Sequence, residues 1–334
     1  MRHIHRSITL TDRSSVGEAR RTAVAIAQSL GFDEGRRNDI GIAATEAANN
    51  IILHAKSGEL LLCPSVDGSS WLDLMAIDAG PGIHDIARAM VDGYSTIGTP
   101  GQGLGAISRL ADSSALYSVP GKGTVYWSRF AQGRITSSPA LGVISIPVKG
   151  ESACGDGYHA FPSDVRSLYV VVDGLGHGAG ASEAAQEALS VVETSAGETA
   201  TEIMVRTHDA LKKTRGAAMS VALVDHERKI LTYAGVGNIS ATLVTGTVSR
   251  SLVSQNGTLG AVLPRVPQEY TYPFESNTLL VMFSDGLASK TGISPYPGLQ
   301  SRHPALIAGV LHRDFTRKRD DATVLVARLE EERK

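Results

Sequence analysis

Two stretches near the start of the chain repeat apolar residues with the spacing of an α-helix. The first runs from Ser15 to Leu30 and stops at Gly31, and the second runs from Asn38 to Ala55. A repeat of about 3.6 residues places such positions on one face, so both stretches predict amphipathic helices. Shorter helices are predicted from about Ile83 to Val91 and near Leu104 to Ala111.

Short apolar runs bounded by turn residues predict strands between and after these helices. Together the two kinds of pattern predict an α/β layer in this half of the chain. The predicted strands of this half are Glu59–Val66, Trp71–Ile77, Ser114–Val119 and Thr124–Phe130.

The second half is richer in strands and has two long helical stretches, Ala181–Glu193 and Thr199–Thr214. Many strands with a few helices predict a sheet-on-sheet sandwich with helical cover. Residues 132–140 are small and polar, which predicts a linker between domains at 1–131 and 141–334. The predicted strands are Leu168–Val172, Ala218–Val224, Ile230–Ala234, Ser240–Val244, Thr278–Phe283 and Ala322–Ala327.

Length and composition support a two-domain soluble protein. The 334 residues exceed the usual size of one core, and 42% are hydrophobic and 20% charged. A formal net charge of −2 gives no reason to expect a nucleic-acid or membrane partner. Cys63 and Cys154 stand apart and predict neither a disulfide framework nor a zinc site. Without an apolar signal segment or a membrane-spanning run, we expect a cytoplasmic protein.

Polar and glycine-rich motifs in the first half predict a nucleotide site. Glu46 and Asn50 lie four residues apart on one helix face, and Asp78 directly follows a strand. A carboxylate can accept a hydrogen bond from adenine, an amide oxygen can bind Mg²⁺, and glycines let phosphates approach backbone amides. Glu46 could polarise an attacking hydroxyl or water. The accompanying glycines are Gly80, Gly82, Gly98, Gly101, Gly103 and Gly105.

These motifs, in this order, resemble the GHKL nucleotide-binding fold, and Gly80–Ile86, Met90–Thr96 and Gly103–Gly105 narrow the likeness to RsbT-type serine kinases. The resemblance spans residues 4–130 and implies a GHKL-type α/β sandwich with a mixed sheet and helices on one face. It also implies ATP with Mg²⁺ and a STAS-domain partner phosphorylated on serine or threonine. Glu46 would be catalytic. The segment Ser95–Gly105 has no Lys or Arg to neutralise a γ-phosphate. ATP binding or partner docking without transfer therefore stays open. The positions implied for ATP are Asn50, Asp78, Gly80, Gly82, Gly101, Gly103, Gly105 and Thr124, with Asn50 also on Mg²⁺.

Aspartates recur at strand ends in the second half. Each Asp-Gly pair alone is more often a turn, but converging strand ends would gather several carboxylates, which is unfavourable without cations. Hard oxygen ligands favour Mg²⁺ or Mn²⁺. The aspartates are Asp156, Asp173, Asp285, Asp320 and Asp321.

These residues resemble the PPM (type-2C) phosphatases, and among them the SpoIIE/RsbX branch. The motifs are Asp173–Gly178, Arg215–Ser220, Gly235–Asn238 and Ser284–Leu287. The resemblance covers residues 141–329 and implies a PPM-type α-β-β-α sandwich with two Mn²⁺ or Mg²⁺ ions. It also implies their ligands, which are Asp156, Asp173, the Gly174 carbonyl, Asp285 and Asp320, with Asp321 less suited.

Three interpretations follow from the two halves. The first is a bifunctional regulator whose kinase and phosphatase domains act in opposite directions on a STAS-domain partner. The second is a phosphatase whose N-terminal domain only binds ATP or docks the partner. The third, a partner-switching module without catalysis, is disfavoured because Glu46, Asn50 and the aspartates are all present.

Overall fold

The computed structural model describes residues 5–65, 71–89, 103–133, 140–263 and 267–329. Its chain forms two compact units, Met1–Ser138 and Pro139–Lys334. Within the described residues, no helix combines the length and the apolar character that crossing a bilayer requires.

Helices of the first unit begin and end close to their predicted positions. The second helix follows Asp33, whose side chain accepts a hydrogen bond from the Arg36 amide and so caps the helix. It continues into one π-helical turn, Ile51–Ala55, where a single α-helix was predicted. The helices are α1 (Ser14–Ser29), α2 (Glu34–Asn50), α3 (Ile86–Ala89) and α4 (Gly103–Leu110).

A five-stranded sheet of order β1-β2-β3-β5-β4 carries these helices on one face. The prediction of a mixed sheet is wrong for the described strands, because every pairing is antiparallel. The crossover through α3 and α4 does make β4 run the same way as β3, but β5 turns back and inserts between them. The strands are β1 (Arg6–Leu10), β2 (Gly58–Pro64), β3 (Trp71–Asp78), β4 (Ser113–Val119) and β5 (Gly123–Ala131).

Small side chains allow the first two helices to pack closely on this sheet. Ala19, Ala23 and Ala27 recur at helical spacing on α1 and are fully buried. They belong to the same core as Ile40 of α2 and Leu74 of β3. This core fixes α2, and therefore Glu46 and Asn50 at its C-terminal end, relative to the strand that ends at Asp78.

The second unit consists of two five-stranded antiparallel sheets, of order β13-β10-β9-β8-β7 and β12-β11-β14-β15-β6. Their facing sides share one apolar core, as in a sheet-on-sheet sandwich. The strands are β6 (Leu141–Ile146), β7 (Asp156–Phe161), β8 (Arg166–Gly174), β9 (Ala217–Asp225), β10 (Ile230–Val236), β11 (Ser240–Thr245), β12 (Val248–Ser251), β13 (Tyr270–Pro273), β14 (Thr278–Phe283) and β15 (Ala322–Leu329).

Helices cover both outer faces of this sandwich, which confirms the predicted α-β-β-α layering. Helices α5 (Ala179–Glu193) and α6 (Ala200–Leu211) form a core with β8 and β9. Helix α7 (Pro304–Phe315) packs on β6 so tightly that a Cβ on Gly142 would lie 2.3 Å from the Ala305 Cα atom. The sequence did not predict α7, because its residues from Pro304 to His312 are all buried and show no polar face.

Candidate functional sites

The C-terminal end of α2 presents the first candidate site. Glu46 and Asn50 both lie in α2, and the π-helical turn follows Asn50 directly. Such turns interrupt α-helices often at functional sites. The Nδ2 atom of Asn50 is buried and has no hydrogen-bond partner among the described residues. A buried donor without a partner is costly, so this amide suits a bound phosphate or Mg²⁺-phosphate group.

Asp78 ends β3 directly opposite Thr124 of β5 and Gly58 of β2. Its Oδ1 atom accepts a hydrogen bond of 2.8 Å from the Gly80 amide, which orients the carboxylate. A Cβ on Gly123 would lie 2.1 Å from the Asp78 carbonyl oxygen, so the neighbouring strand approaches closely here. The predicted ATP-binding residues Asp78 and Thr124 therefore occupy one end of the sheet.

Glycines after Asp78 allow the chain to turn tightly against its neighbours. A Cβ on Gly80 would lie 2.6 Å from the Ala55 Cβ atom, and one on Gly82 would lie 2.3 Å from the Val119 carbonyl oxygen. Gly82 also has φ of +71°, which side chains rarely adopt. Only glycine therefore lets the chain lie this close to Ala55 and Val119 at these two positions.

Side chains on the β4–β5 hairpin hold this glycine loop in place. Ser118 Oγ accepts a hydrogen bond of 2.8 Å from the Ile83 amide and lies 2.9 Å from Thr124 Oγ1. The Gly121 amide donates to the Pro81 carbonyl at 2.8 Å. The loop and the hairpin therefore form one fixed wall beside Asp78.

Only some of the glycines in the segment Ser95–Gly105 lie within the described residues. Gly103 and Gly105 lie in the first turn of α4, which begins one residue before the predicted start at Leu104. Gly98, Gly101 and the motif Met90–Thr96 lie outside the described residues. A helix start leaves backbone N–H groups free for an anion, so this position keeps Gly103 and Gly105 compatible with phosphate binding.

The second candidate site forms where β7 and β8 meet, because Asp156 and Asp173 are direct partners in the strand register. Burial, then the charge of Asp173, raises the pKa of Asp156 well above its usual range. Burial also raises the pKa of Asp173 to about 7, and the charges of Asp285, Asp320 and Asp321 add to this. The structure thus brings together all five predicted aspartates.

An open cleft of about 470 Å³ contains three of these carboxylates. Among the described residues, no three Asp, Glu, His or Cys side chains lie close enough together to hold a metal ion as they stand. Mg²⁺ and Mn²⁺ complete their shells with water and phosphate, so an open row of carboxylates fits such ions in a hydrolase. The lining residues are Asp173, Leu175, Gly176, Ala218, Gly237, Asn238, Asn256, Gly257, Thr258, Asp285 and Asp320.

Neighbouring polar groups orient two of the carboxylates. Ser284 Oγ donates to Asp156 at 2.6 Å and accepts from the Thr323 amide at 3.0 Å. Asn238 Nδ2 donates to Asp285 Oδ2 at 2.7 Å. The sequence motifs contain Asn238 and Ser284 but predicted no role for them. Ser284 precedes Asp285 in the sequence, whereas membership of a motif was the only signal for Asn238.

Asp321 has a different position from the other aspartates. Its two carboxylate oxygens accept hydrogen bonds of 2.6 Å from the amides of Val148 and Gly155. Asp321 therefore ties the segment before β7 to the start of β15, which leaves its neighbour Asp320 in the cleft. This geometry agrees with the prediction that Asp320 is the better suited ligand.

Gly174 has a close approach that excludes any larger residue. A Cβ at this position would lie 2.2 Å from the Ala181 carbonyl oxygen. The Gly174 amide donates to the Gly155 carbonyl at 3.0 Å, which joins the residues after β8 to those before β7. The proposed metal-binding role of the Gly174 carbonyl stays a prediction.

Comparison with known families separates the same two parts of the chain. Residues 163–330 match the family model for stage II sporulation protein E (SpoIIE). The chain belongs to the SpoIIE family. Residues 9–128 of this SpoIIE-family chain match a histidine kinase-like ATPase domain. It therefore carries an ATPase-type domain in front of a PPM-type phosphatase domain.

Individual relatives divide in the same way. The N-terminal part is 41% identical over 107 residues to the serine/threonine-protein kinase RsbT of Bacillus subtilis, covering 32% of this chain and 80% of RsbT. A stretch of 190 residues is 28% identical to the phosphoserine phosphatase RsbX of the same organism, covering 56% of this chain and 93% of RsbX. A chain from a structure of the bacterial stressosome, a modular system adapted to control secondary messenger signaling, is also similar. It has 25% identity and a TM-score of 0.53, covering 57% of this chain and 100% of that chain.

Proposed function

We propose that this SpoIIE-family chain removes phosphate from a serine or threonine of a STAS-domain protein and that its N-terminal domain adds it with ATP. The observation that carries the proposal is the pairing of Asp156 with Asp173 beside Asp285 and Asp320. So many carboxylates in one partly buried cleft repel each other unless cations are bound. A hydrolytic metal site accounts for their convergence.

Asp156, Asp173, Asp285 and Asp320, with the Gly174 carbonyl, would hold two Mn²⁺ or Mg²⁺ ions in the cleft. When bound, such ions activate a water molecule for in-line attack on phosphorus. The protein contributes orientation: Ser284 fixes Asp156, and Asn238 fixes Asp285. The open side of the cleft leaves room for a phosphorylated side chain presented by another protein.

The N-terminal site supports ATP binding through three features of its own. Asp78 offers an oriented carboxylate to adenine. The glycines after it let the loop pack closely against its neighbours, and Asn50 has a buried amide nitrogen without a partner among the described residues. Glu46 lies one helical turn before Asn50, where a carboxylate could accept the proton of the attacking hydroxyl. The remaining proposed ATP contacts are Gly101, Gly103, Gly105 and Thr124.

The similarity to both RsbT and RsbX supports a shared protein substrate. One of these relatives is a serine/threonine kinase and the other a phosphoserine phosphatase, so the two reactions are chemically opposite. A STAS-domain partner is the substrate that the RsbT-like motifs imply, and likeness to a chain of the stressosome fits such a partner.

A second candidate is a phosphatase whose N-terminal domain binds ATP without transferring its phosphate. The absence of Lys and Arg from Ser95 to Gly105 favours this alternative, because a developing negative charge would lack a basic partner there. Both candidates contain the same phosphatase, and they differ only in whether phosphate appears on the partner.

One experiment tests both activities. The chain is incubated with a STAS-domain protein from the same genome, with γ-³²P-ATP and Mg²⁺, and separately with the phosphorylated partner and Mn²⁺. Label on a serine or threonine supports the kinase, and metal-dependent release of phosphate supports the phosphatase. Release of phosphate without labelling of the partner would select the second candidate. If the chain catalyses neither labelling nor release, the proposal is refuted.

A further inference from the structure

Arg215 stands at the edge of the carboxylate cleft and has no assigned role. We propose that its guanidinium group binds the phosphate of the substrate and is a specificity-determining residue of the phosphatase site. This inference rests on the proposed phosphatase function, because it concerns the ligand that enters the same cleft.

The need for such a group follows from charge. The described residues that line the cleft include Asp173, Asp285 and Asp320 but no Lys, Arg or His. Bound divalent ions would neutralise much of this negative charge, yet a phosphomonoester brings further negative charge with it. A cation at the rim would therefore favour entry of a phosphate over entry of a neutral side chain.

The backbone beside Arg215 is firmly attached to the loop that follows Asp173. The Gly216 carbonyl accepts a hydrogen bond of 3.0 Å from the Leu175 amide, and the Gly216 amide donates to Thr214 Oγ1 at 3.1 Å. A Cβ on Gly216 would lie 2.5 Å from the Leu259 carbonyl oxygen. Arg215 is thus next to a fixed point, shortly before the strand whose residue Ala218 lines the cleft.

The Arg215 side chain extends over the segment between Gly176 and Gly180. Its Nη1 atom lies 3.4 Å from the position of a Cβ on Gly176, a residue that lines the cleft. Its Nε and Cζ atoms lie 2.6 Å and 2.8 Å from the position of a Cβ on Gly180. Glycine at position 180 therefore leaves the space that the guanidinium group occupies.

Arg215 also keeps its hydrogen-bonding capacity for a ligand. Its one protein hydrogen bond in the described part of the chain runs from Nη1 to the His177 carbonyl at 3.5 Å, the long limit for such a contact. No carboxylate of the described residues forms an ion pair with it. The nearby His177 differs, because its Nδ1 atom is 2.9 Å from the Glu151 carboxylate. Arginine has five N–H donors, so a phosphate can bind here.

The test uses the full chain with Mn²⁺, p-nitrophenyl phosphate as substrate and inorganic phosphate as competitive inhibitor. Arg215→Ala is expected to raise both the KM and the inhibition constant of phosphate by about tenfold or more. A change of this size is expected because the variant loses a charge-assisted hydrogen bond to phosphate. Arg215→Lys should recover part of both. The matched control is Arg228→Ala, which changes an exposed arginine in the turn beyond the opposite end of β9.

Gly180→Ala separates binding from folding. Alanine is a better helix residue than glycine, so this variant should keep or raise the melting temperature while it displaces the Arg215 side chain. We expect its phosphate inhibition constant to rise as in Arg215→Ala. Because Gly180→Ala retains every charged group, it decides the matter even if Arg215→Ala folds poorly.

The outcomes separate this inference from the proposed function. A wild-type chain without Mn²⁺-dependent hydrolysis would refute the phosphatase itself. An active wild-type whose KM and phosphate inhibition constant are unchanged in Arg215→Ala and Gly180→Ala would refute only the role of Arg215. A higher KM with an unchanged inhibition constant would also overturn it, because the contact would then not be to phosphate.

Discussion

Asp156 of β7 lies directly opposite Asp173 of β8, so two carboxylates share one face of the sheet at adjacent strands. Side chains paired in this way have Cβ atoms about 4.5–5.5 Å apart, and like charges there destabilise the sheet. Burial is the larger cause of the raised pKa of both residues. In the metal-free protein the two carboxylates therefore destabilise this end of the β7–β8 pair when both are ionised. The size of the effect depends on pH.

The stability of the metal-free protein should fall between pH 5 and pH 8. The pKa of Asp173 is about 7 in the folded state against an ordinary value of 3.8. The folded state therefore holds the Asp173 proton more tightly than the unfolded state. This contribution to stability is complete below pH 3.8 and is lost as the pH rises through about 7. At pH 8 in chelator, Asp173→Asn should stabilise the protein by about 1 kcal/mol, or roughly 2–4 °C in melting temperature for a domain of this size.

Thermal melting in chelator at both pH values measures this effect. Asp225→Asn is the matched control, since Asp225 ends the neighbouring strand β9 on the side away from the cleft. It should shift the melting temperature equally at the two pH values. If Asp173→Asn and wild-type protein respond to pH alike, repulsion at Asp173 does not limit the stability of the metal-free state.

Phosphatase activity should require Asp173 and a divalent ion. Replacing Asp173 by Asn removes a charge from the centre of the carboxylate group, so the remaining aspartates would hold two cations too weakly. We expect hydrolysis of a phosphoserine substrate to fall by orders of magnitude while the circular dichroism spectrum is unchanged. Full activity of Asp173→Asn, or of wild-type protein in excess chelator, would contradict the metal site.

Loss of Asp78 and loss of Glu46 should affect different steps. Asp78→Ala removes the acceptor proposed for adenine, and an unpaired ligand donor should weaken ATP binding by about 1–3 kcal/mol. Glu46→Ala should keep ATP affinity and abolish transfer, because Glu46 is proposed to act on the attacking hydroxyl. Calorimetric ATP titration and ³²P transfer measure the two, with Glu18→Ala, an exposed carboxylate of α1, as control. Normal transfer by Glu46→Ala would exclude the general-base role.

Two glycines near Asp78 offer a test of backbone crowding. Gly82 and Gly121 both have positive φ, +71° and +78°, so alanine strains the backbone similarly at each. Only at Gly82 would the new Cβ meet an atom, the Val119 carbonyl oxygen at 2.3 Å. Gly82→Ala should therefore lower both ATP affinity and stability, whereas Gly121→Ala should cost about 1 kcal/mol of stability and spare ATP binding.

Calorimetry and thermal melting of the two variants measure the difference. Equal ATP affinities would mean that the wall formed by the glycine loop and the β4–β5 hairpin does not contact the nucleotide. Equal melting temperatures would mean that the loop moves away from Val119 at no cost.

Sequence patterns predicted those elements whose apolar residues repeat at helical spacing or form a short run with polar ends. Strand β14 was predicted with its observed bounds, because its apolar run is flanked by polar residues. Helix α7 was missed because it is buried on nearly all sides, and β7 because Asp156–Phe161 mixes polar and apolar residues without a repeat. A short buried run between polar residues still indicates a strand, whereas a longer buried stretch such as α7 shows no helical repeat of polar and apolar residues.

Local sequence patterns also predicted only part of the candidate sites. The resemblance to PPM phosphatases implied that Asp156 and Asp173 share one site, and the strand register pairs them directly. The bonds of Asp321 to Val148 and Gly155, and the position of Arg215 over Gly180, depend on contacts between distant segments. No local spacing encodes these contacts, so the structure was needed to assign them.

The prediction with the widest consequence is that both domains act on one partner side chain, in opposite directions. An RsbT-like domain and an RsbX-like domain share a polypeptide, and residues 132–140 are the predicted linker. A short flexible linker gives an effective concentration on the order of millimolar for a partner held by the other domain. Because simultaneous activity would only consume ATP, we expect nucleotide, metal or partner state to favour one direction.

Following one phosphorylated residue of the partner through both reactions tests whether the two domains act on the same side chain. The chain is incubated with its STAS-domain partner and ATP, the modified residue is identified by mass spectrometry, and the same residue is followed after ATP is removed. Asp173→Asn should accumulate the phosphorylated partner, because addition continues while removal has stopped. Glu46→Ala should add no phosphate yet should still strip a partner phosphorylated beforehand. If the phosphatase leaves that residue untouched and removes phosphate elsewhere, the domains perform independent reactions, since a shared side chain is the only link that makes them opposite halves of one switch.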